Sequence, residues 1–199
     1  MKQFTNSFTL KKEKQENSGN TSGTEKNQRE FRGEQEKRGI LFRKEEFGHR
    51  EGDLMIFSEM KLVLAVFVER MTRKVIAVVN QNKTAKEMEM AIHELITSAG
   101  QINVLSITFD NGAENVCHQK VREDYSFCFD TFFCDPYCSW QKGSVENANK
   151  LLRQYFPRDV SMEDLTQDKV DAVVKKLNNR PRKCLGFKKS SDEFDFCSV

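Results

Sequence analysis

The sequence predicts an α/β domain with a mixed sheet, and the order of its apolar segments supports this prediction. Three short apolar runs follow one another with only hairpin-length separations, which is typical of antiparallel strands. Helical patterns then alternate with two further strand-like segments. We therefore expect three antiparallel strands, then helix, strand, helix, strand and helix, in a five-stranded sheet flanked by helices.

The first three strands are the runs EGDLMIF, KLVLAVFVER and KVIAVVNQ. They are rich in Val, Ile, Leu and Phe, which are residue types that strands favour. Residues 58–61 and 71–73 separate them, and both connections are short enough for hairpins.

A helix is predicted after Thr84, because Thr84 and Glu87 have the spacing of a capping box. Apolar residues then recur at helical spacing to about Ser98, namely Met88, Ala91, Ile92, Leu95 and Ile96. This pattern predicts one apolar face that packs on the sheet.

Similar local signals predict the later elements. Residues 104–110 (VLSITFD) predict a buried strand, which the turn residues Asn111 and Gly112 end. Ser144 is expected to cap a helix that runs to about Tyr155. The remaining elements are a short helix, a short strand and a last helix, expected near residues 114–123, 131–134 and 166–178.

Charge is distributed unevenly along the 199 residues, although the net charge is only +2. Residues 1–50 contain 12 basic and 8 acidic residues, whereas residues 51–199 contain 20 basic and 22 acidic ones. Residues 1–46 are polar and basic with few apolar residues, so we expect a disordered or loosely helical tail. Two interpretations of it stay open: a solvated tail without a specific role, or a segment that contacts phosphate weakly. We expect the domain to occupy residues 47–199 and to end in a helical extension.

Several classes of protein are excluded by composition. The longest apolar run, LVLAVFV, is far shorter than the roughly 18 residues that a membrane span needs. The N-terminal residues contain no apolar segment of a signal peptide, so we expect a cytoplasmic protein with six reduced cysteines. A zinc site is not expected, because the candidate ligands lack paired spacing; they are Cys117, His118, Cys128, Cys134 and Cys138.

Three carboxylates lie at the ends of predicted elements, where a metal site could use them. Asp53 lies in the first strand, Asp110 closes the fourth, and Glu146 lies in the first turn of a helix. Carboxylate oxygens suit Mg²⁺, and two such ions about 3.5–4 Å apart promote phosphoryl displacement. Each residue also has an ordinary interpretation, as an edge-strand residue, a turn residue or an acid favoured by the helix dipole.

The segments around these acids resemble the catalytic core of bacterial insertion-sequence transposases, and most of all the insertion sequence thirty family. They are GHREGD, VERMTRKVIAVVNQNKTA, ITFDNGAE, DPYCSWQKGSVENANKLLRQYFP and LTQDKVDAVVKKLNNRPRKCLGFK. The resemblance covers residues 47–194 and implies the ribonuclease-H-like fold of retroviral integrase cores.

The resemblance implies that Asp53, Asp110 and Glu146 form the acidic triad of this family. Thirty-five residues separate Asp110 from Glu146, close to the usual spacing. The triad would bind two Mg²⁺ ions, for which Mn²⁺ can substitute. The implied activity is DNA cleavage by activated water at the element ends, followed by attack of the released 3′-hydroxyl on target DNA. DNA is the implied partner, bound by a homo-oligomer, with the protein associated with the nucleoid.

Candidate DNA-binding residues surround the triad. Asn149, Lys150 and Arg153 share a helix face with Glu146, which suits a phosphate backbone but also an ordinary solvated face. Trp140 and Lys142 precede this helix; Trp140 could stack on an unpaired base or anchor its loop. Three further cations surround a helix end, where the helix dipole also favours them: Arg180, Arg182 and Lys183. His49 is a candidate for positioning Asp53.

The sequence departs from the family pattern at three places. Family members carry an N-terminal helix-turn-helix, whereas residues 1–46 have no periodic apolar pattern, so we expect this module to be lacking. Arg50 stands where relatives usually have Trp, and Asn115 stands where an aromatic residue is usual. Two alternatives to an active transposase domain therefore remain. One is a catalytically silent remnant that binds DNA or an intact transposase, and the other is a nuclease that cuts DNA without joining it.

Overall fold

A computed structural model describes residues 46–57, 62–135, 139–161 and 163–198, with the side chains of residues 139 and 140 excluded. Five strands form one mixed sheet: β1 His49–Ile56, β2 Val63–Glu69, β3 Val75–Asn80, β4 Ser106–Phe109 and β5 Asp130–Phe133. The helices are α1 Ala85–Ala99, α2 His118–Asp124, α3 Gly143–Leu152, α4 Gln167–Asn178 and α5 Ser190–Cys197. A small hairpin of β6 Pro181–Arg182 and β7 Lys188–Lys189 precedes α5. The predicted tail lies outside the described residues except for Glu46, so its boundary stays a prediction.

The strand order in the sheet is β3-β2-β1-β4-β5. β1, β2 and β3 form an antiparallel meander, and β4 and β5 run parallel to β1. β2 lies inside the sheet, and all of its residues are buried, as its unbroken run of apolar residues predicts. The predicted mixed five-stranded sheet is therefore confirmed.

Helices cover both faces of the sheet. α3 and α4 pack on one face, where Val145, Leu152 and Val170 meet apolar residues of β1, β2 and β3. α1 and α2 pack on the other face, together with Phe194 from α5. The site described below lies on the α3 face, beside the middle of β1 and just past the end of β4.

The helix α1 has the start and the buried face that the sequence predicts. Thr84 is its N-cap and accepts a hydrogen bond from the backbone N–H of Glu87 at 3.4 Å. All five predicted apolar positions are buried. Thr166 caps α4 in the same way, accepting from the backbone N–H of Lys169.

The predicted cap of α3 is wrong. Ser144 lies inside the helix, which begins at Gly143, and Lys142 holds the N-cap position without a side-chain cap. The Ser144 hydroxyl instead accepts a hydrogen bond from Arg73. The helix ends at Leu152, three residues before the expected end, and its N-terminal N–H groups bond to a residue of β1.

The C-terminal residues form a helix that packs on the sheet. Phe194 of α5 is buried and contacts the ring of Phe47, with ring centroids 5.3 Å apart. The Lys74 ammonium lies 3.7 Å from the Phe194 ring centroid, a cation–π contact. Among the described residues, no helix has the length and apolarity that a membrane span requires.

Candidate active site

The strand register brings Asp53 and Asp110 together. β1 and β4 are parallel, and Glu51 pairs with Thr108. Continuing this register by two residues places Asp53 beside Asp110, just past the end of β4. Side chains two residues apart share a face of a sheet, so both carboxylates lie on the face that α3 covers.

A glycine allows the two strands to approach closely at this point. A Cβ atom added at Gly52 would lie 2.7 Å from Cε1 of Phe109 and 3.3 Å from Phe67. Ordinary carbon–carbon contacts lie near 3.5–4.0 Å, so a larger residue would push the Phe109 ring away. Gly52, which leaves room for the Phe109 ring, therefore directly precedes the carboxylate of Asp53.

The ammonium of Lys142 bridges the two carboxylates. Its Nζ lies 2.9 Å from Oδ1 of Asp53 and 3.4 Å from Oδ2 of Asp110. The Lys142 side chain is 11% exposed. Burial acts to lower the pKa of Lys142, but Asp53 and Asp110 outweigh it, so this pKa is raised above its usual value. Lys142 was predicted to bind DNA. In the structure its ammonium contacts Asp53 and Asp110, two of the three predicted metal ligands.

Two amide side chains hold the other carboxylate oxygens. Asn149 of α3 donates to Oδ2 of Asp53 at 2.8 Å. Asn115 donates to Oδ1 and to the backbone oxygen of Asp110, both at 3.1 Å. Sequence analysis singled out Asn115 only as a departure from the family pattern, because its contact with Asp110 depends on the 3₁₀ turn of residues 113–115.

Glu146 lies in the first turn of α3 with its side chain exposed. It makes no hydrogen bond or ion pair with another residue that the structure describes. Its position is nevertheless fixed by the backbone, because Oε2 of Glu51 accepts the N–H groups of Ser144 at 2.8 Å and Val145 at 2.9 Å. A strand carboxylate therefore replaces the expected serine cap.

Glu51 is itself held by a buried ion pair. Its Oε1 lies 3.2 Å from Nε of Arg70, and both side chains are nearly inaccessible to solvent. Nη2 of Arg70 donates to the backbone oxygen of Gln141 at 3.1 Å and to Oγ1 of Thr108 at 3.4 Å. Burial lowers the pKa of Arg70, and Glu51 opposes that effect. The sequence did not predict this pair, because Glu51 and Arg70 lie in two separate motif segments and only the fold brings them together.

The remaining predicted residues lie in different surroundings. Lys150 is exposed on α3, while Arg153 donates to the backbone oxygen of Ile56 at 2.5 Å and lies 4.8 Å from the Phe57 ring centroid. The side chain of Trp140 lies outside the described residues.

His49, the candidate for positioning Asp53, forms a hydrogen bond with Oγ of Ser106 at 2.7 Å and none with Asp53.

The basic cluster after α4 lies near the hairpin of β6 and β7. Arg180 and Lys183 are exposed, and Arg182 is half-buried and donates to the backbone oxygen of Leu177 at 3.5 Å. None of the three contacts the carboxylates of Asp53, Asp110 or Glu146 among the described residues. The structure therefore groups Lys142 and Asn149 with the predicted triad and leaves this cluster apart.

The donor set at Asp53 and Asp110 fits a hard cation. Two carboxylates converge on one positively charged group, and Glu146 has no competing partner in the described part of the chain. The three carboxylates are not all within 4.8 Å of one another; the described residues that meet this distance are Glu89, His93 and Asp124. In that group Glu89 already pairs with Lys120, at 2.5 Å.

The fold is similar to that of integrase catalytic cores. The catalytic core domain of BIV integrase matches with a TM-score of 0.58 at 20% identity, over 76% of this chain and 95% of that one. A chain of a simian T-cell lymphotropic virus intasome, solved in complex with PP2A regulatory subunit B56 gamma, also matches. It has a TM-score of 0.58 at 20% identity, over 73% of this chain and 53% of that one. These likenesses confirm the predicted fold.

The sequence relatives are transposases of insertion sequences. The transposase InsI of element IS30A from Escherichia coli (strain K12) is 37% identical over 141 residues, 71% of this chain and 36% of the relative. The transposases of IS1086 from Cupriavidus metallidurans and IS4351 from Bacteroides fragilis are 34% and 33% identical, over 70% and 78% of this chain. The chain is a homologue of the IS30-family transposases, as its motifs predicted. No family model matches it.

The matched region is only part of these relatives. The chain covers 36%, 41% and 47% of the IS30A, IS1086 and IS4351 proteins, respectively. Activity, substrates and partners of the whole relatives are therefore matters for proposal here.

Proposed function

We propose that this chain is the catalytic domain of a DNA transposase, in which Asp53, Asp110 and Glu146 bind divalent metal. The observation that carries the proposal is the convergence of Asp53 and Asp110 on a single cationic group, at 2.9 and 3.4 Å. Carboxylate oxygens that converge on one point are the ligands that Mg²⁺ prefers in proteins. The homology to transposases supplies the class of substrate, which is DNA.

The proposed metal is Mg²⁺, bound as two ions, with Mn²⁺ as a substitute. Bound ions would activate the attacking oxygen and neutralise charge on the phosphate that is transferred. Asp53 and Asp110 would hold metal from the sheet, and Glu146 would complete the site from α3. This division uses two rigid strands and one helix start, which favours accurate placement of the reacting groups.

The residues around the triad would orient it. Asn149 and Asn115 each donate to one oxygen of Asp53 or Asp110, so the carboxylate planes are set before metal binds. The bonds from Ser144 and Val145 to Glu51 set the start of α3, and with it the backbone position of Glu146.

DNA would bind along the exposed cationic side of this site. Lys150 is exposed one turn after Glu146, and its charge would contribute to a salt-dependent contact with phosphate. Trp140, Arg180, Arg182 and Lys183 stay candidates for DNA binding on the strength of the sequence. Assembly as a homo-oligomer on element ends and target DNA is part of the proposal, and the likeness to a chain of an intasome supports it.

The experiment uses a branched oligonucleotide that mimics the product of strand transfer, because such a substrate does not need a known element end. In Mg²⁺ or Mn²⁺, we expect the protein to resolve the branch by attack of a 3′-hydroxyl. Asp110→Asn and Asp53→Asn should lower the rate at least about a hundredfold. Their DNA affinity, measured at the same salt concentration, should stay within about threefold of the unchanged protein.

The outcomes separate the three candidate functions. Joining that is insensitive to both substitutions contradicts the proposed site. Cutting of linear DNA without any joining would identify a nuclease. Salt-sensitive DNA binding, without metal binding that depends on Asp53 and Asp110, would identify a silent remnant.

A further inference from the structure

We propose that Lys142 is an internal counter-cation that occupies the place of the divalent ion and that metal must displace. The inference rests on the proposed metal site and assigns a role to a residue beside it. Lys142 is a positioning residue in this account, since it acts through Asp53 and Asp110. Its release would couple metal loading to the exposure of a positive charge at the site.

The hydrogen-bond pattern of the carboxylates carries the inference. Asp53 presents Oδ1 to Lys142 and Oδ2 to Asn149, while Asp110 presents Oδ2 to Lys142 and Oδ1 to Asn115. Each carboxylate therefore has one oxygen held by an amide and one held by the ammonium. The oxygens that Lys142 contacts are the ones without an amide donor, so a divalent ion held by Asp53 and Asp110 would compete with the ammonium for them.

The charges of the two acids favour replacement of the Lys142 ammonium by a divalent ion. Asp53 and Asp110 are 24% and 51% exposed at their side chains, so their mutual repulsion is only partly screened. One ammonium offsets half of their combined charge, whereas one divalent ion offsets all of it. Without metal, Lys142 keeps the pair of acids compatible with the fold.

The position of Lys142 in the chain makes displacement feasible. It is the last residue of the short 3₁₀ turn Ser139–Lys142 and the N-cap of α3, with no side-chain cap of its own. Its charge sits on a flexible four-carbon stem, so the ammonium can leave while the backbone stays in place. Once displaced, it would face the side of the site where substrate phosphate binds.

The test measures Mn²⁺ binding without DNA by isothermal titration calorimetry. Lys142→Met should bind Mn²⁺ about tenfold more tightly, the scale of one charge-assisted hydrogen bond that no longer has to be broken. Lys142→Arg, which keeps the positive charge, should stay near the unchanged protein. Lys176→Met removes an exposed charge from α4 and is the matched control for net charge; its affinity should not change.

A second measurement covers the possibility that Lys142→Met weakens the fold. The rise in melting temperature on adding Mn²⁺ should then be larger in Lys142→Met than in the unchanged protein, because metal replaces the missing cation. Equal or weaker Mn²⁺ affinity in Lys142→Met, with no larger rise in melting temperature, would overturn the inference.

Asp110→Asn distinguishes this failure from failure of the proposed function. If Asp110→Asn loses Mn²⁺ binding while Lys142→Met binds as the unchanged protein does, the metal site stands and the counter-cation role is wrong. If Asp110→Asn binds Mn²⁺ normally, the metal site itself is wrong.

Discussion

Oε2 of Glu51 accepts the backbone N–H of Val145 at 2.9 Å, and this bond joins the strand β1 to the first turn of α3. The same strand carries Asp53 two residues later, and the same helical turn carries Glu146. The contact therefore sets the distance between two members of the proposed triad. It also gives a structural role to Glu51, the buried acid of the GHREGD segment.

Replacing Glu51 with Ala should destabilise the fold by about 3–5 kcal/mol, because it removes the carboxylate that pairs with the buried charge of Arg70. It also leaves two helix N–H groups without an acceptor. Urea unfolding, followed by circular dichroism, measures the change. Glu163→Ala, which removes an exposed acid, should change the free energy of unfolding by less than about 0.5 kcal/mol. Similar small losses in both variants would show that the Glu51 contacts do not hold α3.

Gly52→Ala should destabilise the protein by about 1–3 kcal/mol, because the new Cβ would lie 2.7 Å from the Phe109 ring. Gly143→Ala is the matched control, since a Cβ there meets nothing within 4 Å and Gly143 is the first residue of α3. The control should be neutral or stabilising by up to about 1 kcal/mol. Equal free energies of unfolding for the two alanine variants would contradict the close approach of β1 to β4.

Phe194→Ala should lower the free energy of unfolding by about 3 kcal/mol, because it removes a buried ring that contacts Phe47 and Lys74. Phe196 lies two residues away in α5 and is 82% exposed, compared with 4% for Phe194. Phe196→Ala should therefore leave the melting temperature within about 2 °C of the unchanged protein. If both substitutions lowered the melting temperature equally, α5 would not be docked as described.

The thiol of Cys134 should react slowly with iodoacetamide up to about pH 10. Burial raises the pKa of Cys134 to about 11, above the usual value of 9.0, and the nearby cations oppose this effect only in part. The stabilisation that comes from the neutral buried thiol is complete below pH 9 and is lost as the pH rises through about 11. The exposed Cys128 is the comparison, because the reagent can reach its thiol directly.

Mass spectrometry of the alkylated peptides, taken over a series of pH values, gives both rates. Cys128 should be labelled first, and the rate at Cys134 should rise only as the pH approaches 11. Equal labelling rates at pH 8.5 would show that Cys134 is accessible in the folded protein.

Sequence analysis predicted the features that depend on nearby residues. The Thr84 cap and the apolar spacing along α1 are local patterns, and both are present in the structure. The second half of the predicted capping box is not formed, because the Glu87 carboxylate accepts the backbone N–H of Gln81. The turn after Phe109 and the strand before it are also signalled locally, and together they place Asp110.

The errors arose where distant residues decide the local structure. Ser144 is a good N-cap by type, but Glu51, 93 positions earlier, already accepts its N–H. The sequence places Lys142 in a loop among candidate DNA-binding residues. Its contacts with Asp53 and Asp110 depend on the β1–β4 register, which the sequence does not give. The burial of Arg70 likewise depends on the packing of three segments.

The central claim is that Glu146 belongs to the same centre as Asp53 and Asp110, although it has no partner among the described residues. The most direct test is the rate of 3′-hydroxyl joining on the branched oligonucleotide in Mg²⁺, compared for Glu146→Gln and Asp168→Asn. Asp168 is an exposed acid in the first turn of α4. We predict that Glu146→Gln lowers the rate at least about a hundredfold while Asp168→Asn leaves it unchanged. Equal rates for Glu146→Gln and the unchanged protein would contradict the account.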